Sequence, residues 1–417
     1  MQFFSRLFIL SVLFFVQQVH GQGCGERYFQ KIFTKTLVTR NIYYGENLMS
    51  NGQLKKLHFD VYEPQDDTER NRPVLVMMHG GAYWSGDKNH GQCKFLGEDL
   101  SKMGYVVISP QYRYEPSFLS LLNEEKMVKA VARGTQDAKA IIRYLFKDVM
   151  ESGNTWRIDT SMIFIGGASA GSFNALHATY LDENDELPAQ WKQWIEEAGG
   201  IDGTTAAEGY PYKVAGVINI SGALAKASIL DNEHIPFLSV HDTGDPQIPF
   251  NTGQPYGIVL LPHVDGSNIL HAKALELGIE NPFYIIPGNG HTSYEEFGMR
   301  IQPMYDSTLY YIKQFMSGIY CRKYQPTGII RHLQLADLKV YPNPSEGILF
   351  VRLPATGTPS SEYTLQLLDI TGRVLRTEQI YTNTHMLDLS AFPAGVYQVV
   401  LFAEEQAWAR ASIQVVK

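Results

Sequence analysis

The run Gly167-Ala168-Ser169-Ala170-Gly171 sets a serine between glycines at the spacing of a sharp strand-to-helix turn. Such a turn strains the backbone of its central residue, and side chains two positions away would collide across it. The result is an exposed hydroxyl above a helix N-terminus, whose N–H groups favour negative charge. The flanks agree: Met162-Ile163-Phe164-Ile165 predicts a strand, and Ser172 to Tyr180 a helix. A serine hydroxyl needs a base, and the base needs an orienting acid. His291 ends the loop Pro287-Gly288-Asn289-Gly290-His291, directly after the apolar run Phe283 to Ile286. Two acids, Asp242 and Asp245, follow the strand that ends Ser239-Val240-His241. Asp245, beyond the Thr243-Gly244 turn and before Pro246, is the favoured acid; Asp242 is then expected to cap the turn and His241 to be structural. The chemistry is acyl transfer through a covalent serine intermediate. Ala170, after the nucleophile, and Gly81 and Ala82 in His79-Gly80-Gly81-Ala82-Tyr83-Trp84 are the expected N–H donors to the developing oxyanion. Tyr83 and Trp84 are candidates for lining the substrate pocket, while His79 is expected to prop the loop.

These residues lie at the ends of alternating strand and helix patterns. Leu54 to Tyr62 alternates as a half-buried strand does, whereas Pro73 to His79 and Tyr105 to Ser109 are continuous apolar runs of the kind found in central strands. Glu124 to Val149 has helical periodicity, with Gly134 expected to break it in two. Ser161 to Gly166, Val214 to Ile220, Ile235 to His241 and Pro282 to Ile286 complete a set that predicts a mostly parallel sheet covered on both faces. Residues 181–213 are polar, acidic and rich in Trp and Gly, and are a candidate cap over the site. From Asp337 the helical signal ends. Short strand-like runs separated by turns such as Thr371-Gly372 predict a small all-β sandwich over 337–417, joined by a linker over 323–336.

The composition supports a packed, soluble protein: 44% of the 417 residues are hydrophobic and the formal charge is −8. No Lys/Arg run tracks a phosphate backbone, so nucleic acid is not an expected partner. Neither a metal nor a cofactor is expected, since there is no His-Glu-x-x-His and no dinucleotide-binding glycine fingerprint. Met1 to Arg6 carries one positive charge, Leu7 to Val16 is almost wholly apolar, and Val19 and Gly21 suit a cleavage site. Residues 1–21 therefore read as a signal peptide, with 22–322 the catalytic domain and no transmembrane segment in the mature chain. Secretion permits one disulfide among Cys24, Cys93 and Cys321, with the pairing open.

The motifs resemble those of the α/β-hydrolase superfamily, particularly its carboxylesterase and hormone-sensitive-lipase-like groups. His79 to Gly86 is similar to their His-Gly-Gly-Gly oxyanion motif, with Ala82 in place of the third glycine. His241 to Pro249 is similar to their His-Gly-x-x-Asp-x-x-Val-Pro run, which sets Asp245 on the acid and Asp242 where the run has glycine. The resemblance implies an α/β-hydrolase fold and a serine carboxylic ester hydrolase acting on a small-molecule, polysaccharide-linked or polymeric ester. The same triad also serves amidases and short-peptide hydrolases, and non-catalytic surface or binding relatives usually lose the Ser or His. In the tail, Val340 to Gly347, Leu368 to Arg373 and Pro393 to Tyr397 resemble the C-terminal sorting domain of type IX secretion substrates in Bacteroidota. This implies export by the type IX machinery and a secreted or outer-membrane surface-associated protein.

Overall fold

The computed structural model describes residues 26–230, 234–296, 298–324, 336–353, 363–369, 374–380, 384–403 and 406–416. The expected signal peptide, Cys24, the Thr371-Gly372 turn and most of the expected linker lie outside them. Two compact units divide between Lys323 and Tyr324.

The first unit is built on an eight-stranded sheet. Its strands are β1 (Thr36–Leu48), β2 (Leu54–Pro64), β3 (Arg72–Met78), β4 (Val106–Pro110), β5 (Ile158–Ala168), β6 (Gly216–Ile220), β7 (Phe237–Asp242) and β8 (Phe283–Ile286). They lie in the order β1-β2-β4-β3-β5-β6-β7-β8, with β2 antiparallel to its neighbours and β3 to β8 mutually parallel. The continuous apolar runs follow from burial on both faces: Val74, Val76 and Met78 of β3 face one core, Leu75 and Met77 the other. The first core is covered by α2 (Glu124–Glu151) and α3 (Ala170–Tyr180), the second by α1 (Gly91–Ser101) and the helix Met304–Tyr324.

One sequence expectation needs correction, and one strand was not expected. Gly134 does not break α2, which runs unbroken from an Asn123 cap. The glycine is there for close approach, since a Cβ would stand 2.2 Å from Asn174 Oδ1 on α3. Strand β1 went unread because two register shifts, between Thr39 and Ile42 and between Tyr43 and Gly45, break its alternation along a largely exposed edge. Cys321 is disulfide-bonded, whereas Cys93 is a buried free thiol hydrogen-bonded to the Met77 carbonyl.

The second unit is all-β among its described residues. Its strands include Ile348–Arg352, Tyr363–Asp369, Val374–Ile380, Gly395–Ala403 and Gln406–Val415, arranged in a five-stranded and a three-stranded sheet. Alternate residues such as Leu349, Val351, Leu365, Leu367, Val399 and Leu401 form its core.

Candidate active site

Ser169, Asp245, His291 and the run from His79 to Trp84 lie just beyond the C-terminal end of a parallel strand or on the loop leading from it, while His241 and Asp242 are the last two residues of β7. Ser169 follows β5 and precedes α3, with φ 53° and ψ −122°, a region that costs free energy for any side-chain-bearing residue. The elbow survives because its glycines leave no alternative. A Cβ on Gly167 would come within 2.2 Å of the Gly171 carbonyl carbon, and one on Gly171 within 2.3 Å of the Met78 carbonyl oxygen. Backbone hydrogen bonds hold the turn: Ser169 N donates to the Ile220 carbonyl at 2.9 Å, and Ser172 N to the Ser169 carbonyl at 2.8 Å.

His291 and Asp245 meet directly. Nδ1 of His291 lies 2.7 Å from Oδ2 of Asp245, and both side chains are nearly or fully buried. A carboxylate only accepts, so the ring proton sits on Nδ1 and leaves the Nε2 lone pair free. Burial alone would raise the Asp245 pKa, but hydrogen bonds from His241 and His291 overcome it and hold the carboxyl well below the usual range. Its other oxygen, Oδ1, accepts from the N–H groups of Gln247 at 2.8 Å and Ile248 at 3.0 Å. Asp245 thus makes the turn-capping bonds expected of Asp242. Asp242 is buried and its carboxylate accepts from the Ser293 hydroxyl, pinning the loop two residues beyond His291. Its carboxylate points away from its own turn because Gly290 leaves room: a Cβ there would sit 2.9 Å from Asp242 Oδ1.

Gly81, Ala82 and Tyr83 take successive positive φ values of 128°, 51° and 61°. This coils the loop after β3 so that Gly81 and Ala82 line the same cavity as Ser169. Among the described residues no protein group accepts from the N–H of Gly81, Ala82 or Ala170. His79 props this loop, as expected: Nδ1 donates to the Gly80 carbonyl at 2.7 Å and the ring stacks on Tyr112 at 4.4 Å. Gln92 on α1 was not foreseen. Its Oε1 accepts from Gly80 N at 2.9 Å and its Nε2 donates to Thr292 Oγ1 at 3.2 Å, tying the loop after β3 to the His291 loop. No local motif marks such a residue.

Ser169 sits where two cavities meet. One is narrow and almost wholly apolar, about 90 Å³, with walls that include Val128, Val131, Phe173, Leu187, Trp191 and Ile195. The other is open and mixed in character, about 670 Å³, and is lined by His291, Gln92, Trp84 and Glu295 among others. Tyr83 lines the first and Trp84 the second, so the two neighbours serve opposite sides. The apolar cavity is partly walled by 181–213, through Leu181, Leu187 and the helix α4 (Ala189–Glu197). This segment is strapped to α2: Gln136 Nε2 donates to the Gly200 carbonyl at 2.6 Å, Lys139 pairs with Asp202 at 2.6 Å, and Thr205 donates to the buried Asp137 at 2.8 Å. The cavity's buried histidine, His177, is held neutral: Nδ1 donates to the Phe173 carbonyl at 2.9 Å, Nε2 accepts from Ala225 N at 3.1 Å, and burial lowers its pKa to about 4.

A mostly parallel sheet with a strained serine elbow and an Asp-paired histidine on neighbouring strand ends is an α/β-hydrolase. Within that class the chain carries an esterase-family domain, BD-FAE, matched over residues 59–224, and a secretion system C-terminal sorting domain matched over 339–414. The sorting domain marks the protein for type IX secretion, to the medium or the outer-membrane surface. No helix of the described residues is long and apolar enough to cross a membrane. The chain is 27% identical to gut esterase 1 of Caenorhabditis briggsae over 123 residues, 30% of this chain and 21% of that relative's length. Among solved structures, a truncated carbohydrate esterase from gut microbiota aligns at 16% identity and a TM-score of 0.47, covering 69% of this chain and 97% of that one. A thermophilic esterase from Thermogutta terrifontis aligns at 17% identity and a TM-score of 0.45, again covering 69% and 97%.

Proposed function

We propose that the protein is a secreted serine carboxylic ester hydrolase working through an acyl-enzyme on Ser169. Ser169 Oγ attacks the ester carbonyl while His291 Nε2 takes its proton. Asp245 orients the ring and stabilises the imidazolium that forms. The N–H groups of Gly81, Ala82 and Ala170 hold the oxyanion. His291 then returns the proton to the leaving alcohol. Water, activated by the same nitrogen, attacks the acyl-enzyme and frees the acid and Ser169.

Because the histidine protonates the leaving oxygen, the alcohol departs on the His291 side, into the open cavity of mixed character. The acyl group occupies the apolar cavity, with 181–213 as its cap. The reading is carried by the 2.7 Å His291–Asp245 bond beside a serine held at φ 53° in a shared cavity wall. The domains act in sequence: a signal peptide over 1–21 starts export, the sorting domain engages the type IX machinery, and the catalytic unit works outside the cell.

The decisive experiment compares wild type and Ser169→Ala on p-nitrophenyl butyrate and the matched anilide. The variant should lose at least about 10³-fold in ester turnover and keep its melting temperature. Undiminished hydrolysis by Ser169→Ala would overturn the mechanism. Preference of the wild type for the anilide would move it to the amidases.

A further inference from the structure

We propose that His241 is a positioning residue for the acid: a neutral imidazole whose Nε2–H shares Asp245 Oδ2 with His291 and fixes the direction in which that carboxylate holds the base. The proposal rests on the Ser169–His291–Asp245 reading above and deepens it.

The proton positions follow from the partners. His241 is fully buried, and its Nε2 faces two groups that only accept, the Ile248 carbonyl at 3.2 Å and Asp245 Oδ2 at 3.3 Å. The proton is therefore on Nε2. Nδ1 then carries the lone pair and accepts from the Ser267 hydroxyl at 2.7 Å. Ser267, also fully buried, in turn accepts from Asn219 Nδ2 at 2.9 Å, and the Asn219 side chain is set by its Oδ1, which accepts from the Gly222 N–H at 3.0 Å. The donors Asn219, Ser267 and His241 along this chain are each decided by their neighbours. The chain ends on the carboxylate that also receives His291.

The surroundings leave His241 few other electrostatic roles. Its own strand supplies Asp242, whose carboxylate is engaged by Ser293; the loop beyond supplies Asp245; the helix starting at Ser267 and strand β6 meet it through the neutral Ser267 and, behind that, Asn219, while His271, one turn along that helix, bonds Asn281. The Phe250 ring stands edge-on at 5.7 Å. With His241 present, Oδ1 is held by two backbone N–H groups and Oδ2 by two imidazoles. Without it, Oδ2 keeps one donor, the carboxylate gains freedom to pivot, and its less satisfied charge binds the His291 proton more tightly.

The test measures kcat and KM against pH for wild type, His241→Leu, His241→Gln and Ser267→Ala on p-nitrophenyl butyrate, with melting temperatures alongside. His241→Leu should lower kcat about 10-fold with KM within about twofold, and raise the acid limb of kcat/KM by about half a pH unit or more. Glutamine, whose amide N–H can reach the position of Nε2–H, should return the limb to the wild-type value. Ser267→Ala removes only the donor to Nδ1 and should move the limb in the same direction by less. It also decides the matter if His241→Leu fails to fold. An acid limb unmoved in Ser267→Ala and in any folded His241→Leu, with only the melting temperature lowered, would reduce His241 to core filling and overturn the proposal. Undiminished activity in Ser169→Ala is a different failure, that of the mechanism itself.

Discussion

The two walls that meet at Ser169 are built on different principles. On the His291 side, the loops are fixed by backbone geometry and directed hydrogen bonds: Asp245 to Gln247 and Ile248, Asp242 to Ser293, Gln92 to Gly80 and Thr292. On the other side, apolar side chains of α2, α3 and 181–213 enclose a narrow cavity, and 181–213 is secured by polar bonds to α2. The first wall demands particular atoms at particular points and tolerates little substitution. The second demands only that certain volumes be filled. On the proposed mechanism chemistry belongs to the first wall and acyl selection to the second, so changes to each should give distinguishable kinetics.

The sharpest division of roles within the first wall is between its two carboxylates. Asp245→Asn removes the charge opposite His291 and allows the amide to present N–H to a nitrogen that already carries a proton. A loss of about 10³-fold or more in kcat is expected. Asp242→Asn retains a group that can bond Ser293 and touches neither base nor nucleophile, so a loss of about 10-fold or less is expected. Steady-state kinetics on both variants checks the ranking. A larger loss at Asp242 would exchange their roles.

The same contrast explains what could be read from the chain. Gly167, Gly171 and Ser169 were legible because the elbow's sterics dictate residue type at fixed spacing. The central strands were legible because burial on both faces leaves only apolar residues. Asp242 was misread because its partner, Ser293, lies 51 positions away, and nothing local distinguishes a turn cap from a long-range acceptor. Gln92 and His177 escaped for a similar reason: each acts through partners brought together by the sheet. Gly134 looked like a helix breaker because propensity alone disfavours glycine there, whereas packing against Asn174 requires it. The polar character of 181–213 hid the apolar face that Leu187, Trp191 and Ile195 turn inward.

The buried histidines give each wall a pH signature in stability. Burial lowers His79, at the start of the loop after β3, and His177, in the apolar cavity, to about 4 from an unfolded value of 6.5. Between those values the unfolded chain binds protons that the folded chain refuses. The stabilisation is therefore complete above pH 6.5 and falls as pH drops toward 4, by up to roughly 3 kcal/mol for each histidine. Urea unfolding from pH 7.5 to 4 should show this decline, and His177→Gln, which cannot titrate, should flatten it by about half. An unchanged slope in that variant would mean that His177 is protonated in the fold, at odds with its bonds to Phe173 and Ala225.

The smallest expected effect separates binding from chemistry. Val131 lies on α2 with its side chain on the apolar cavity, away from the proton path through His291. Replacing it with phenylalanine fills much of a space of about 90 Å³ without removing a polar contact. If the acyl chain lies there, Val131→Phe should leave kcat/KM for p-nitrophenyl acetate within about threefold and lower that for the hexanoate about 10- to 30-fold, the scale expected when a few methylenes lose their pocket. The acid limb of the pH profile should not move, since no group near His291 changes. If instead the alcohol occupied this cavity, varying the leaving group at constant acetyl would reveal the discrimination. Equal loss on all acyl chains would point to displacement of α3 and Ser169. The acetyl-to-hexanoyl ratio, measured with one leaving group, therefore tests which side of the serine each half of the ester occupies.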